Sequence, residues 1–181
     1  SRSNGPGLGE CSGRMRTCSV AQSLGRTRRR GRNARAIALA PYQDGWVVVG
    51  EIDGAADFGV SPMTSDGVDA FVLRTDASGA VSWVSYISGP GADEITDVAV
   101  TSNGLIVVRG YFADSCNFGT SAGATDIYVA AYDGDGGLAW SKTYGAAEDD
   151  VAWTVVTHDD AIFVGGSHRQ EIGFNTPESP H

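Results

Sequence analysis

One residue pattern runs twice in full along this 181-residue chain and then begins a third time. Val47-Val48-Val49-Gly50 leads to Asp57-Phe58-Gly59, then to Asp69-Ala70-Phe71-Val72, Gly79 and Trp83. Ile106-Val107-Val108-Arg109-Gly110 leads in the same order to Asn117-Phe118-Gly119, Asp126-Ile127-Tyr128-Val129, Gly136 and Trp140. A third pass opens at Ile162-Phe163-Val164-Gly165-Gly166 and reaches Phe174. The landmark offsets are 60 residues from Phe58 to Phe118, 57 from Trp83 to Trp140 and 56 from Phe118 to Phe174. A period of this size marks stacked or radially repeated units, none of which can bury its own apolar face. The repeat therefore constrains fold far more than it constrains function.

Each unit holds four short apolar runs separated by turn residues. Val98-Ala99-Val100 ends in Ser102-Asn103-Gly104, and Asn-Gly is expected to supply two positive-φ residues of a tight hairpin turn. Asp44-Gly45 is placed for the same role one unit earlier, while Asp159-Asp160-Ala161 is a weaker turn signal. Phe71-Val72-Leu73 and Val81-Ser82-Trp83 flank Asp76-Ala77-Ser78-Gly79, and Tyr128 to Tyr132 and Leu138 to Trp140 flank Asp133-Gly134-Asp135-Gly136-Gly137. β-Branched and aromatic runs bounded by Gly, Asp, Ser and Asn read as strands, and no window shows helical spacing. Four strands in roughly 57 residues, with an aromatic fixed in each unit, predict an all-β chain. The expected architecture is an incomplete β-propeller of four-stranded antiparallel blades, about two and a half repeats long. The repeats begin near 46, 105 and 162, and the last is truncated.

Gly50…Asp57-Phe58-Gly59…Asp69-Ala70-Phe71-Val72…Asp76…Gly79…Trp83…Gly89…Asp93…Ala99-Val100 makes one such unit. Gly110-Tyr111-Phe112…Asn117-Phe118-Gly119…Asp126-Ile127-Tyr128-Val129…Asp133…Gly136…Trp140…Gly145…Asp149…Val155-Val156 makes the second. This string resembles the bacterial β-propeller repeat often called SBBP, over about residues 35–175. Arg109, read as inserted before Gly110, and Asn117 in place of Asp depart from it. The resemblance implies an extracellular or cell-surface bacterial protein, and it carries over no catalytic residue. The structural landmarks it marks are Phe58, Gly59, Trp83, Phe118, Gly119 and Trp140.

Propellers close with four to eight blades, so about 57 residues per blade requires upwards of about 230. The chain is accordingly read as part of a longer protein whose remaining blades are its first partners. Its charge is divided. Residues 1–35 carry nine Arg against Glu10, a charge of +8, and residues 36–181 carry four basic and 21 acidic residues, −17, for −9 overall. The division separates an Arg-rich head, 1–35, from the repeat segment, 36–181. The head is expected to be a disordered tail, or peptide outside the fold through an upstream frame error. An electrostatic arm around Arg28-Arg29-Arg30 and a targeting segment are the alternatives. The acidic body makes nucleic acid an unexpected partner. No run of 18 apolar residues is present to span a membrane as a helix. Cys11 and Cys18 are able to pair in an oxidising compartment, and Cys116, aligned with Ala56 and Ile172, reads as a small core residue.

The candidate chemistry is sparse. Gly119-Thr120-Ser121-Ala122-Gly123 matches G-x-S-x-G, but a nucleophile elbow joins a strand to a helix. Here a strand is expected next, and spacing gives no reason to pair His158 or His168 with Ser121. Asp133 and Asp135 resemble the start of an oxygen-rich Ca²⁺ loop, but position 12 counted from Asp133 is Tyr144, so a hairpin turn is the simpler reading. Ca²⁺ there is the one cofactor considered. Asp93-Glu94…Asp97 and Glu148-Asp149-Asp150 recur before a strand and suit solvated or backbone-capping loop acids. Trp83 and Trp140 suit packing between blades. Three His without Cys/His spacing do not make a zinc site. The leading expectation is a non-catalytic structural or interaction module with a protein or glycan ligand on its blade loops. A propeller lyase or hydrolase with its catalytic residues in further blades, and a propeller lectin, are the alternatives.

Overall fold

The computed structural model describes residues 34–167. The head up to residue 33, with Cys11 and Cys18, and the stretch from 168, with His168, Ile172 and Phe174, lie outside the described residues.

Every element among the described residues is an antiparallel strand. The first sheet is formed by β1 (Ala34–Tyr42), β2 (Gly45–Ala56), β3 (Met63–Thr75) and β4 (Val81–Ile87), laid side by side in chain order. β5 (Asp93–Val100) and β6 (Ile106–Phe112) open the second sheet. A two-residue ladder of β7 (Ser115–Cys116) and β8 (Gly119–Thr120) follows, and then β9 (Asp126–Tyr132) and β10 (Leu138–Tyr144) complete the sheet in the order β5-β6-β9-β10. β11 (Val151–His158) and β12 (Ala161–Ser167) form a third, two-stranded sheet. The all-β, four-stranded antiparallel organisation is thus as the repeat predicts, and no sheet closes on itself.

The repeat extends to defects in the ladders. The first strand of each sheet carries a register shift at the same place: Ala36/Ala38, Ile95/Asp97 and Ala152/Thr154. The outer hairpins of the first two sheets shift as well, opposite Arg74/Thr75 and at Leu138/Trp140. Bulges re-aim a strand and increase its twist, so they define corresponding positions more sharply than apolar letters do. With Gly50 opposite Phe71 and Gly110 opposite Tyr128, Val49 corresponds to Arg109. Arg109 is therefore not an insertion. It replaces a core valine, and Gly165 stands there in the third sheet.

Alternation along each strand sends side chains to two faces and stacks the sheets in chain order. Val47, Val49, Ala70 and Val72 of the first sheet meet Val98, Val108, Tyr128 and Ala130 of the second. The far face of the second sheet, with Val107, Val129 and Ala131, meets Ala152, Val155 and Ile162 of the third. A third apolar cluster, Val48, Ile52, Phe71 and Leu73 under Phe58, lies on the other face of the first sheet.

The turns depart from expectation. Gly104 alone takes positive φ (86°) in the 101–105 turn, while the Asn103 side chain accepts from Thr101 Oγ1 at 2.6 Å. In the first hairpin the left-handed residue is Gln43 (φ 52°), and Gly45 is needed because a Cβ there would stand 1.9 Å from the Thr75 carbonyl oxygen. Asp159 (φ 51°) does the corresponding work in the third. Short polar side chains tolerate that conformation, which is why a weak-looking Asp-Asp pair still turns the chain.

Candidate functional site

The joints between successive sheets carry most of the distinctive chemistry. Trp83, on β4, reaches out of the first sheet and donates from Nε1 to the Gly134 carbonyl of the second at 2.9 Å. Its ring lies where a Cβ on Gly136 would stand, 2.7 Å from Cδ2, and Gly136 also has φ 87°. Arg74 adds an Nη1 bond to the same carbonyl at 3.3 Å while its guanidinium covers the Tyr42 ring at 5.1 Å. Tyr42 Oη donates to the Gly104 carbonyl at 3.2 Å. Of the other landmarks, Phe58 packs on Phe71 with centroids 4.7 Å apart, and Phe118 packs on Tyr128 at 5.5 Å. Gly59 takes φ 87°, but Gly119 is not a positive-φ residue. Trp140 packs beside the cluster between the second and third sheets.

Asn117, the departure from Asp, uses what a carboxylate lacks. Its Nδ2 donates to the Tyr86 carbonyl at 3.0 Å and its backbone N–H to Ser88 at 3.1 Å, tying the β7–β8 region to the first sheet. Asp57, its counterpart, accepts from Gly59 N at 2.8 Å. Cys116 is half-buried against the core between the first two sheets, and burial pushes its thiol up.

The oxygen-rich turn is committed to its own backbone. Asp133 Oδ1 accepts from Asp135 N at 2.9 Å and Gly137 N at 2.8 Å. Asp76 does the same in the first sheet, accepting from Ser78 N at 2.8 Å and Ala80 N at 3.0 Å, and the Ser78 hydroxyl first, with these backbone bonds, lowers its pKa. No group of three or more His, Cys, Asp or Glu placed to hold a metal occurs among the described residues. Ser121 donates to the Gly123 carbonyl at 3.1 Å in the loop leading to β9. The exposed His158 lies beside Asp159.

Four aspartates are buried at the joints, and spacing alone misplaces one. Asp126 opens β9 and Asp69 holds the corresponding place inside β3, and Asp93 and Asp150 open or adjoin the next unit's first strand. The bulges make Asp150, not Asp149, the counterpart of Asp93: Ile95 corresponds to Ala152 across the same five-residue loop, so Gly89 and Gly145, from which spacing is counted, are not equivalent. Asp126 accepts from Ala122 N at 2.8 Å and Asp150 from Ala146 N at 2.8 Å. Asp97 bridges the second and third sheets by accepting from Thr154 Oγ1 at 3.1 Å and Val155 N at 3.0 Å. Glu148 and Asp149 are exposed.

Arg109 is the most unusual side chain of the second joint. It is fully buried, its Nη1 donates to Thr96 Oγ1 at 2.5 Å, and its Nε and Nη2 have no partner. Burial lowers it to about 10, against the opposing pull of Asp97 and Tyr128. Nearby, Tyr111 donates to Glu94, and burial with that contact lifts the Tyr111 phenol far above its ordinary range. Neither Arg109 nor the buried aspartates stand out by residue type. The visible signals were an Arg in an apolar run and an Asp directly before the apolar run of each third strand.

No family model matches the chain. It is similar to the regulatory protein FlaEY of Caulobacter vibrioides, 32% identical over 162 aligned residues that cover 82% of this chain. The chain spans 17% of that protein's length.

Proposed function

We infer that this chain is a run of blades from a larger SBBP-type β-propeller, serving as a non-catalytic structural or interaction module of an exported or surface bacterial protein. One observation carries the reading. The cross-strand pairs Ala40–Val47 and Ala99–Val107 are each the third pair beyond a bulge, on the face that meets the next sheet. Val156–Phe163 is the corresponding pair in the third sheet, and there Val156 is 54% and Phe163 55% exposed. An apolar face of this kind is built to receive another sheet.

The test is a structure of the intact gene product, with the locus sequenced on both sides of this segment. Further four-stranded sheets continuing from β12 and closing into a ring support the reading. An intact protein in which Val156 and Phe163 are covered by a helix or an unrelated domain overturns it. One feature favours the alternative of a propeller enzyme: Arg109 is a charged side chain in one unit only, where the others have Val49 and Gly165.

A further inference from the structure

The joints at Asp69/Asp93 and Asp126/Asp150 occupy corresponding places but are satisfied differently. At the second, the N–H groups of Ala122 and Gly123 bond Asp126 and that of Ala146 bonds Asp150 Oδ2, leaving Asp150 Oδ1 unpartnered. At the first, Gly89 N is engaged by Asp69 and the next residue is Pro90, which has no N–H to give. Asp93 is fully buried with both carboxylate oxygens unpartnered, and Asp69 is 2% exposed with Oδ1 unpartnered. Neither makes an ion pair with Lys, Arg or His among the described residues. The groups that face Asp93 are Asp69 on β3, Cys116 on β7 and Tyr128 on β9, and Asp66 acts on Asp69. All of these are acids or neutral, so no cation among the described residues pairs with the two negative charges in this place. Two buried carboxylates with no counter-ion among the described residues ionise together only at high cost, and sharing one proton removes that cost.

We propose that the Asp69–Asp93 pair is a proton-binding site that holds one proton in the folded protein near neutral pH, and that losing it loosens the joint between the first two sheets. Burial first, and the Asp69 charge second, raise Asp93 to about 7. Asp69 is raised too, by burial against the opposing Gly89 N–H. The sign follows. The folded pKa lies above the unfolded one, so the contribution to stability is fully present below about pH 4 and is lost as pH rises through about 7.

The experiment is carbon-13 NMR of the aspartate carboxyl groups in the full chain, with Asp93 assigned by Asp93→Asn. An Asp93 midpoint about two or more units above an ordinary aspartate supports the site. A midpoint near 4 overturns it. Amide exchange at Ala113, whose N–H bonds the Ala92 carbonyl, should accelerate between pH 6 and 8 beyond the intrinsic rate. That excess should vanish in Asp93→Asn and persist in Asp150→Asn. If millimolar calcium protects Ala113 in the wild type but not in Asp93→Asn, the pair is a cation site and the proton proposal fails. The wild-type titration alone decides the matter should the Asn variant not fold.

Discussion

Arg109 stands where the first unit has Val49, and two of its nitrogens lack protein partners in a buried interface. A buried guanidinium keeps its desolvation cost whether or not it finds a hydroxyl, and one bond to Thr96 offsets little of it. Arg109→Val should therefore raise stability by about 1–2 kcal/mol, read as a higher urea midpoint with unchanged slope. A loss of similar size would mean that the arginine organises Thr96 and Asp97 in a way the single bond does not convey. The Trp83–Gly136 contact makes the opposite demand. Trp83→Phe keeps a ring but removes the Nε1 donor, and should cost about 1 kcal/mol. Gly136→Val combines a positive φ with a ring already 2.7 Å from the new Cβ, so its loss should exceed that of Trp83→Phe in parallel thermal melts.

At the scale of strands and turns, Asp133 serves as a backbone cap in the β9–β10 turn. Asp133→Ala should lower stability by about 1 kcal/mol, and calcium should leave the melting temperature of wild type and variant alike unmoved. A calcium-dependent rise abolished by Asp133→Ala would restore the metal reading. The strands and their grouping were legible because apolar runs, turn residues and Trp recur at nearly equal distances. Their exact register was not. Val47-Val48-Val49 looks the same after a one-residue slip, so letters cannot tell whether Arg109 is inserted or substituted. The pleat can, because such a slip would exchange the two faces of the strand. Glu148-Asp149-Asp150 hides its buried member for the same reason: three adjacent acids satisfy one spacing, and the register counted from the bulge selects Asp150. The orphaned oxygens of Asp93 were out of reach altogether, since they depend on which N–H groups a neighbouring loop happens to present.

For the whole molecule, the stack leaves Val156, Phe163 and the 63%-exposed Trp153 on the third sheet. The described segment should self-associate through them, with an average mass that climbs with concentration in sedimentation experiments. Phe163→Glu should lower that mass, whereas a monodisperse monomer with a sharp cooperative melt would speak against an unfilled face. The forward reach of Trp83 has a consequence in time as well as in space. Its acceptor, the Gly134 carbonyl, lies 51 residues further along the chain. At about 5–20 residues per second, synthesis delivers that acceptor roughly 3–10 s after the tryptophan. The first sheet must wait that long with its indole unanswered, so the order in which the ribosome releases the units is also the order in which their walls can be fastened.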